Sequence, residues 1–139
     1  MYGALDTSTS ALATYRTQLD VIAGNIAMKD AVRFENGEAI PYNRRVALFA
    51  PGDPLRGRDA PGVHVAAITE DPTPFGLRWD PHHVHAIKEG KNKGYVRVSN
   101  VDYHTEMVNA MTAARAYEAN VTVMEMAKSM AASTLRLIA

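Results

Sequence analysis

The sequence predicts an α+β chain in which long N- and C-terminal helices pair as a coiled coil, with a small β-rich module inserted between them. Three observations lead there. All seven prolines lie between Pro41 and Pro81, and a proline in a helix interior costs about 3 kcal/mol, so only the two ends are free to form long helices. Both ends carry apolar residues at alternating spacings of three and four, the repeat that turns one seam of a helix toward a facing helix. The middle concentrates seven of the nine glycines and 17 of the charged residues, the chemistry of turns and short strands. The chain divides accordingly into 1–33, 34–101 and 102–139.

In segment 1–33 the seam runs through Leu5, Ser8, Leu12, Tyr15, Leu19, Ile22 and Ile26. In segment 102–139 it runs through Met107, Ala110, Ala114, Tyr117, Val121, Met124, Lys128, Ala131, Leu135 and Ile138. Ser8 and Lys128 are the polar members of the two seams, and a lone polar seam residue can set register. At 1.5 Å per residue, helices of roughly 25 and 35 residues reach about 37 and 52 Å, a thin rod with no third layer from the same chain. Off its seam the C-terminal segment carries Ala113, Ala116, Ala119, Ala127 and Ala132, and along the segment run Met107, Met111, Met124, Met126 and Met130. Small residues admit a close neighbour and methionine supplies adaptable apolar contact, so these faces are expected to pack against a partner.

In the middle, Tyr42–Phe49, Val63–Ile68, Gly76–Asp80 and Gly94–Val98 read as strands. The loops expected between them hold Pro51 to Pro54, Arg58 to Gly62 and Lys88 to Gly94. Asn100 or Asp102 is placed to cap the second helix, and Glu106 in its first turn faces the positive end of the helix dipole.

Little points to catalysis. Without cysteine there is no thiolate nucleophile and no cysteine-based metal site. No Gly-x-Ser-x-Gly elbow or phosphate-cradling glycine loop occurs, and no cofactor is implied. Zero formal net charge argues against a nucleic-acid binder. No run approaches the ~18 apolar residues of a membrane span, and the N-terminus lacks the order of a cleaved secretory signal. His82, His83 and His85, with Asp80 nearby, would serve a small metal-dependent enzyme. Neighbours at that spacing in a loop rarely converge without a fourth ligand supplied elsewhere, and a solvated loop accounts for them; His64 and His104 stand alone.

One stretch carries a resemblance. Gly94-Tyr95-Val96-Arg97-Val98, Asn100-Val101-Asp102, Glu106-Met107-Val108, Arg115-Ala116-Tyr117-Glu118-Ala119-Asn120-Val121, Lys128-Ser129-Met130 and Thr134-Leu135 together resemble the C-terminal signature of the bacterial flagellar axial (rod–hook) family, most of all its C-type proximal rod members. Tyr42, Arg44, Gly62 to Val65 and Glu70-Asp71-Pro72 agree. Near the N-terminus Asn25 and Ala27 match the family's Ala-x-Asn-Leu-Ala-Asn-x-x-Thr element, while Met28 and Ala31 replace its second Asn and its Thr.

The resemblance implies a structural subunit of the basal-body rod in the periplasmic space, transmitting torque through helix–helix contacts. It implies other rod proteins and copies of the chain itself as partners, and passage through the type III export apparatus without a cleaved signal. It singles out Asn25, Asn100, Asp102, Glu106, Arg115, Tyr117, Glu118 and Asn120 as signature residues. A sibling rod or hook-related subunit is the structural alternative, against which the short middle argues.

Overall fold

The computed structural model describes residues 2–53 and 60–138. Pro54, Arg58 and Asp59 of the expected loops, and the side chain of Ile138, lie outside what is described. Helix α1 spans Tyr2–Met28 (27 residues) and α2 spans Tyr103–Ile138 (36 residues), about 40 and 54 Å long. Between them lie β1 (Val32–Glu35), β2 (Glu38–Pro41), β3 (Arg45–Pro51), β4 (Val63–Glu70), β5 (Gly76–Trp79) and β6 (Tyr95–Val98). The strands form three separate antiparallel pairs, β1 with β2, β3 with β4 and β5 with β6. The architecture is therefore the expected α+β arrangement of two long terminal helices packed together with small sheets between.

Helix α1 ends at Met28, short of the 1–33 segment. The Ala31 N–H donates to the Met28 carbonyl (2.9 Å) and the Tyr42 N–H donates to the Ala31 carbonyl (3.0 Å). The turn in which Met28 and Ala31 replace the family's usual residues is thus closed by the backbone. The chain then enters the β1–β2 hairpin, absent from the sequence reading. Its turn is Asn36-Gly37, with φ of 53° and 84°, the conformation that a two-residue type I′ connection demands and that Asn-Gly favours. Strand β3 begins at Arg45 rather than Tyr42 and pairs with β4 from Arg45↔Glu70 to Pro51↔Val63, with a bulge between Leu48 and Phe49.

The helices run antiparallel. Thr9 Oγ1 lies 3.9 Å from Met124 Sδ and Asn25 Nδ2 lies 2.8 Å from Glu106 Oε2. That register places the start of α1 opposite about Ala131, so the last turns of α2 extend past α1. Hairpin β3–β4 lies along α1 and is fastened at both of its ends. At one, the Val63 N–H donates to Ser10 Oγ (3.1 Å) and Thr14 Oγ1 donates to the Val63 carbonyl (3.0 Å). At the other, the Arg45 N–H donates to Asn25 Oδ1 (2.9 Å) and Asn25 Nδ2 donates back to the Arg45 carbonyl (2.8 Å). Tyr15, a seam residue by spacing, meets Phe49 of β3 edge-on at 5.8 Å.

The apolar core is small: Ala11, Ile22, Val96, Val101 and Ala113 are the buried hydrophobics among the described residues. Polar residues share it, with Ser8, Thr14, Asn25 and Glu106 also buried.

Candidate functional site: the helix pair and its polar junction

Where the end of α1, the start of α2 and the base of the β3–β4 hairpin meet, five polar side chains converge. Glu106 sits in the first turn of α2 with no solvent exposure at all. Its Oε1 accepts from Arg44 Nε (3.0 Å) and Nη2 (2.8 Å) and more weakly from Asn109 Nδ2 (3.3 Å), and its Oε2 accepts from Asn25 Nδ2 (2.8 Å). The remaining Arg44 nitrogen, Nη1, donates to Asp71 Oδ2 at 2.9 Å. Asn25 is 1 % exposed and fully used: besides its two donations, its Oδ1 accepts from the Arg45 N–H (2.9 Å) and the Tyr42 hydroxyl (3.3 Å). Asn100 closes the ring, accepting from the Arg44 N–H (2.8 Å) and donating to Asn43 Oδ1 (2.9 Å) and the Thr73 carbonyl (2.9 Å).

A buried charge is tolerated only when it is paired and hydrogen-bonded, and this cluster meets that condition from four segments of chain. Burial opposes the Arg44 charge, yet the bonds to Glu106 and Asp71 outweigh it and its pKa is raised. Asp71 is lowered from 3.8 to about 2, chiefly by the side-chain and backbone donations of Thr73 and then by Arg44. Both are therefore fully ionised at neutral pH.

The signature residues separate by role. Asn25, Asn100 and Glu106 belong to this junction. Asp102, not Asn100, caps α2: its Oδ2 accepts from the Thr105 N–H at 2.9 Å, satisfying one of the orphan donors of a helix start. Arg115 and Glu118 are exposed, and the half-buried Asn120 turns its amide back onto the Ala116 carbonyl (2.8 Å). Arg44 and Asp71 were not singled out as site residues by sequence reasoning, although both lie in stretches that carry the family resemblance.

Of the expected packing residues, Ile22 is buried, and Leu5, Leu12, Tyr15, Leu19, Ile26, Tyr117, Val121, Met124 and Ala131 are half-buried. Met107, Met111 and Leu135 are 40, 52 and 68 % exposed. Leu135 falls on the same side of α2 as Tyr117 and Met124, given about 100° per residue, but it lies beyond the end of α1. Of the two polar seam positions, Ser8 is buried and Lys128 is exposed.

A second apolar stripe runs down the opposite side of α2. Val108, Val123, Met126 and Met130 are 57, 44, 54 and 64 % exposed. With Thr112 and Ala119 between them they fall within a sector about 60° wide, facing away from Glu106 and Met124. Nothing among the described residues covers it.

The histidines form no comparable centre. His83 and His85 stack edge-on at 5.3 Å, and His85 meets Phe34 of β1 at 5.2 Å. They line one side of a groove of about 640 Å³ between the β1–β2 hairpin and the loop before β6. Among the described residues no group of three His, Asp or Glu side chains is placed to hold a metal ion.

Comparison with known proteins bears on the whole chain. The pattern of the family described as "Flagellar basal body rod FlgEFG protein C-terminal" matches residues 92–137. The chain is 36 % identical to the flagellar basal-body rod protein FlgC of Borreliella burgdorferi, covering 99 % of this chain and 97 % of that one. It is 40 % identical to FlgC of Buchnera aphidicola (92 and 90 % covered) and 37 % identical to FlgC of Bacillus subtilis (98 and 97 % covered).

Proposed function

The chain belongs to the FlgC family of flagellar basal-body rod proteins, and from that membership we propose that it carries torque as a rod subunit through the uncovered faces of its helices. Its role is structural, not enzymatic. The observation that carries the torque reading is the stripe of Val108, Val123, Met126 and Met130 on the outer side of α2. An apolar stripe on one side of a helix already paired on its other side, with Val123, Met126 and Met130 spaced three and four apart, suits a second helix as neighbour. Each of these side chains is about half covered already, so seating a neighbour gains about 1 kcal/mol per residue, half the value for full burial. Met107, Met111 and Leu135 add contacts between subunits on the same account.

The neighbours are other rod proteins and further copies of this chain, in the periplasmic part of the basal body. Delivery there is by the type III export apparatus. No helix among the described residues is long and apolar enough to cross a membrane. The three segments act as inner helix, lateral module and second helix.

The test is Val123→Asp with Met126→Asp. Neither side chain touches the junction, so the purified variant keeps the wild-type helical circular dichroism while rods stop assembling and cells lose motility. Complete basal bodies and normal swimming in the variant would refute the stripe as an interface.

A further inference from the structure

The seam of this helix pair is poor in register information. Its α2 side is largely Ala110, Ala113, Ala114, Tyr117, Val121, Met124 and Ala131, and small or pliable side chains fit many holes. A shift of α2 by one heptad, about 10 Å, leaves the same side of the helix facing α1. It would also keep α1 covered along its length, because α2 overhangs α1 by roughly that much. The shift would even bring Leu135, 68 % exposed as it stands, opposite the region of Leu5. The same shift would carry the exposed Lys128 to the place of half-buried Val121 and Asn120 to that of buried Ala113, so the seam disfavours the slip, but only in part, because a lysine stem can lie along the helices with its ammonium in water.

The polar junction opposes the slip more strongly. Sliding α2 by a heptad draws Glu106 away from Arg44 Nε and Nη2 and from Asn25 Nδ2, now 3.0, 2.8 and 2.8 Å away. It sets Ala113 opposite Asn25 and takes the Glu106 acceptor away from the half-buried Arg44 and the buried Asn25. A buried polar group whose partners exist in one alignment only is the best-attested device for fixing register. We infer that the Arg44–Glu106–Asn25 cluster is the main register pin of the helix pair, with Glu106 as the positioning residue. The inference deepens the rod-subunit reading, since one register gives every copy in a rod the same length and the same outer stripe.

The chain has no cysteine, so engineered disulfides report register cleanly. Thr9→Cys with Met124→Cys captures the observed alignment, and Thr9→Cys with Ala131→Cys captures the one-heptad slip. In the purified full-length chain under mild oxidation, the first pair is expected to crosslink at least tenfold more than the second. Adding Arg44→Met and Glu106→Leu, which removes the ion pair as a unit, should bring the slipped pair to a comparable yield.

A second variant moves the pin: Glu106→Leu with Ala113→Glu, Arg44 and Asn25 intact, should make the 9–131 crosslink dominant. Retention of the 9–124 crosslink alone in both variants overturns the inference. So does loss of both crosslinks in both variants, which would mean that the junction is needed for pairing itself rather than for its register. Either result leaves the rod role standing, because that role is read from basal-body assembly and not from these crosslinks.

Discussion

Replacing Arg44 by methionine isolates the energetics of the junction. The substitution keeps most of the apolar stem and removes the guanidinium, which makes two bonds to Glu106 Oε1 and one to Asp71 Oδ2. The Asp71 side chain is 17 % exposed and Glu106 is at zero. Asp71 keeps Thr73 and reaches water, so its loss is minor. Glu106 keeps only Asn25 and the longer bond from Asn109. Two charge-assisted bonds at about 1.5–3 kcal/mol each give a loss of about 3–6 kcal/mol, and breaking a buried pair by removing one partner costs about 3–5 kcal/mol. Because the Arg44 side chain is itself 22 % exposed, the lower part of that range applies, about 3–4 kcal/mol. Urea unfolding followed by ellipticity at 222 nm and by Trp79 fluorescence measures it. Adding Glu106→Leu should return more than half of the loss, since removing both partners leaves no stranded charge. An Arg44→Met variant within about 0.5 kcal/mol of the wild type, or a double variant no more stable than the single, would refute the assignment of the stability to the buried pair.

Two further outcomes follow from other parts of the fold. Gly94 has φ of 83°, and a Cβ there would lie 2.8 Å from the Trp79 ring; Gly94→Ala should cost about 1–3 kcal/mol and shift the Trp79 emission, and an unchanged spectrum and stability would contradict the packing. Asp71 has its pKa lowered from 3.8 to about 2, so its contribution is complete above about pH 4 and is lost as the pH falls through about 2. Because Thr73 supplies the largest part of that shift, Thr73→Val should move the Asp71 carboxyl midpoint back toward 3.8 in a ¹³C titration and narrow the acid-dependent loss of stability.

The two helices were legible because a heptad seam repeats: seven positions in α1 and ten in α2 say the same thing, and one irregular residue does not erase the pattern. The sheets were less so. Strands of four residues, such as Val32–Glu35 and Glu38–Pro41, are too short to show alternation against neighbouring helix, and the Asn36-Gly37 signal between them was the one local clue. The junction was legible only in pieces. Glu106 read as a dipole partner in the first turn of α2, Arg44 as part of a strand, and Asp71 only as a member of a stretch that agrees with the family. Residues 25, 44, 71 and 106 meet only through tertiary structure, so no spacing rule connects them. The family resemblance flagged Asn25, Asn100 and Glu106 without giving a reason; the hydrogen bonds supply it.

The double fastening of the β3–β4 hairpin has a mechanical consequence. From Ser10 to Asn25 along α1 is about 22 Å at 1.5 Å per residue, and from Arg45 to Pro51 along β3 is about 20 Å at 3.3 Å per residue. Helix and hairpin are thus bonded at both ends over matching lengths, like a beam with a splint. A load that bends such a laminate must stretch one layer and compress the other, which takes far more force than bending a bare helix. Among the described residues the distal turns of α2, past the end of α1, have no such backing and form the compliant end of the subunit. Stiffness in this protein is thereby graded along its length, with the rigid part beside the hairpin and the yielding part in the C-terminal turns of α2.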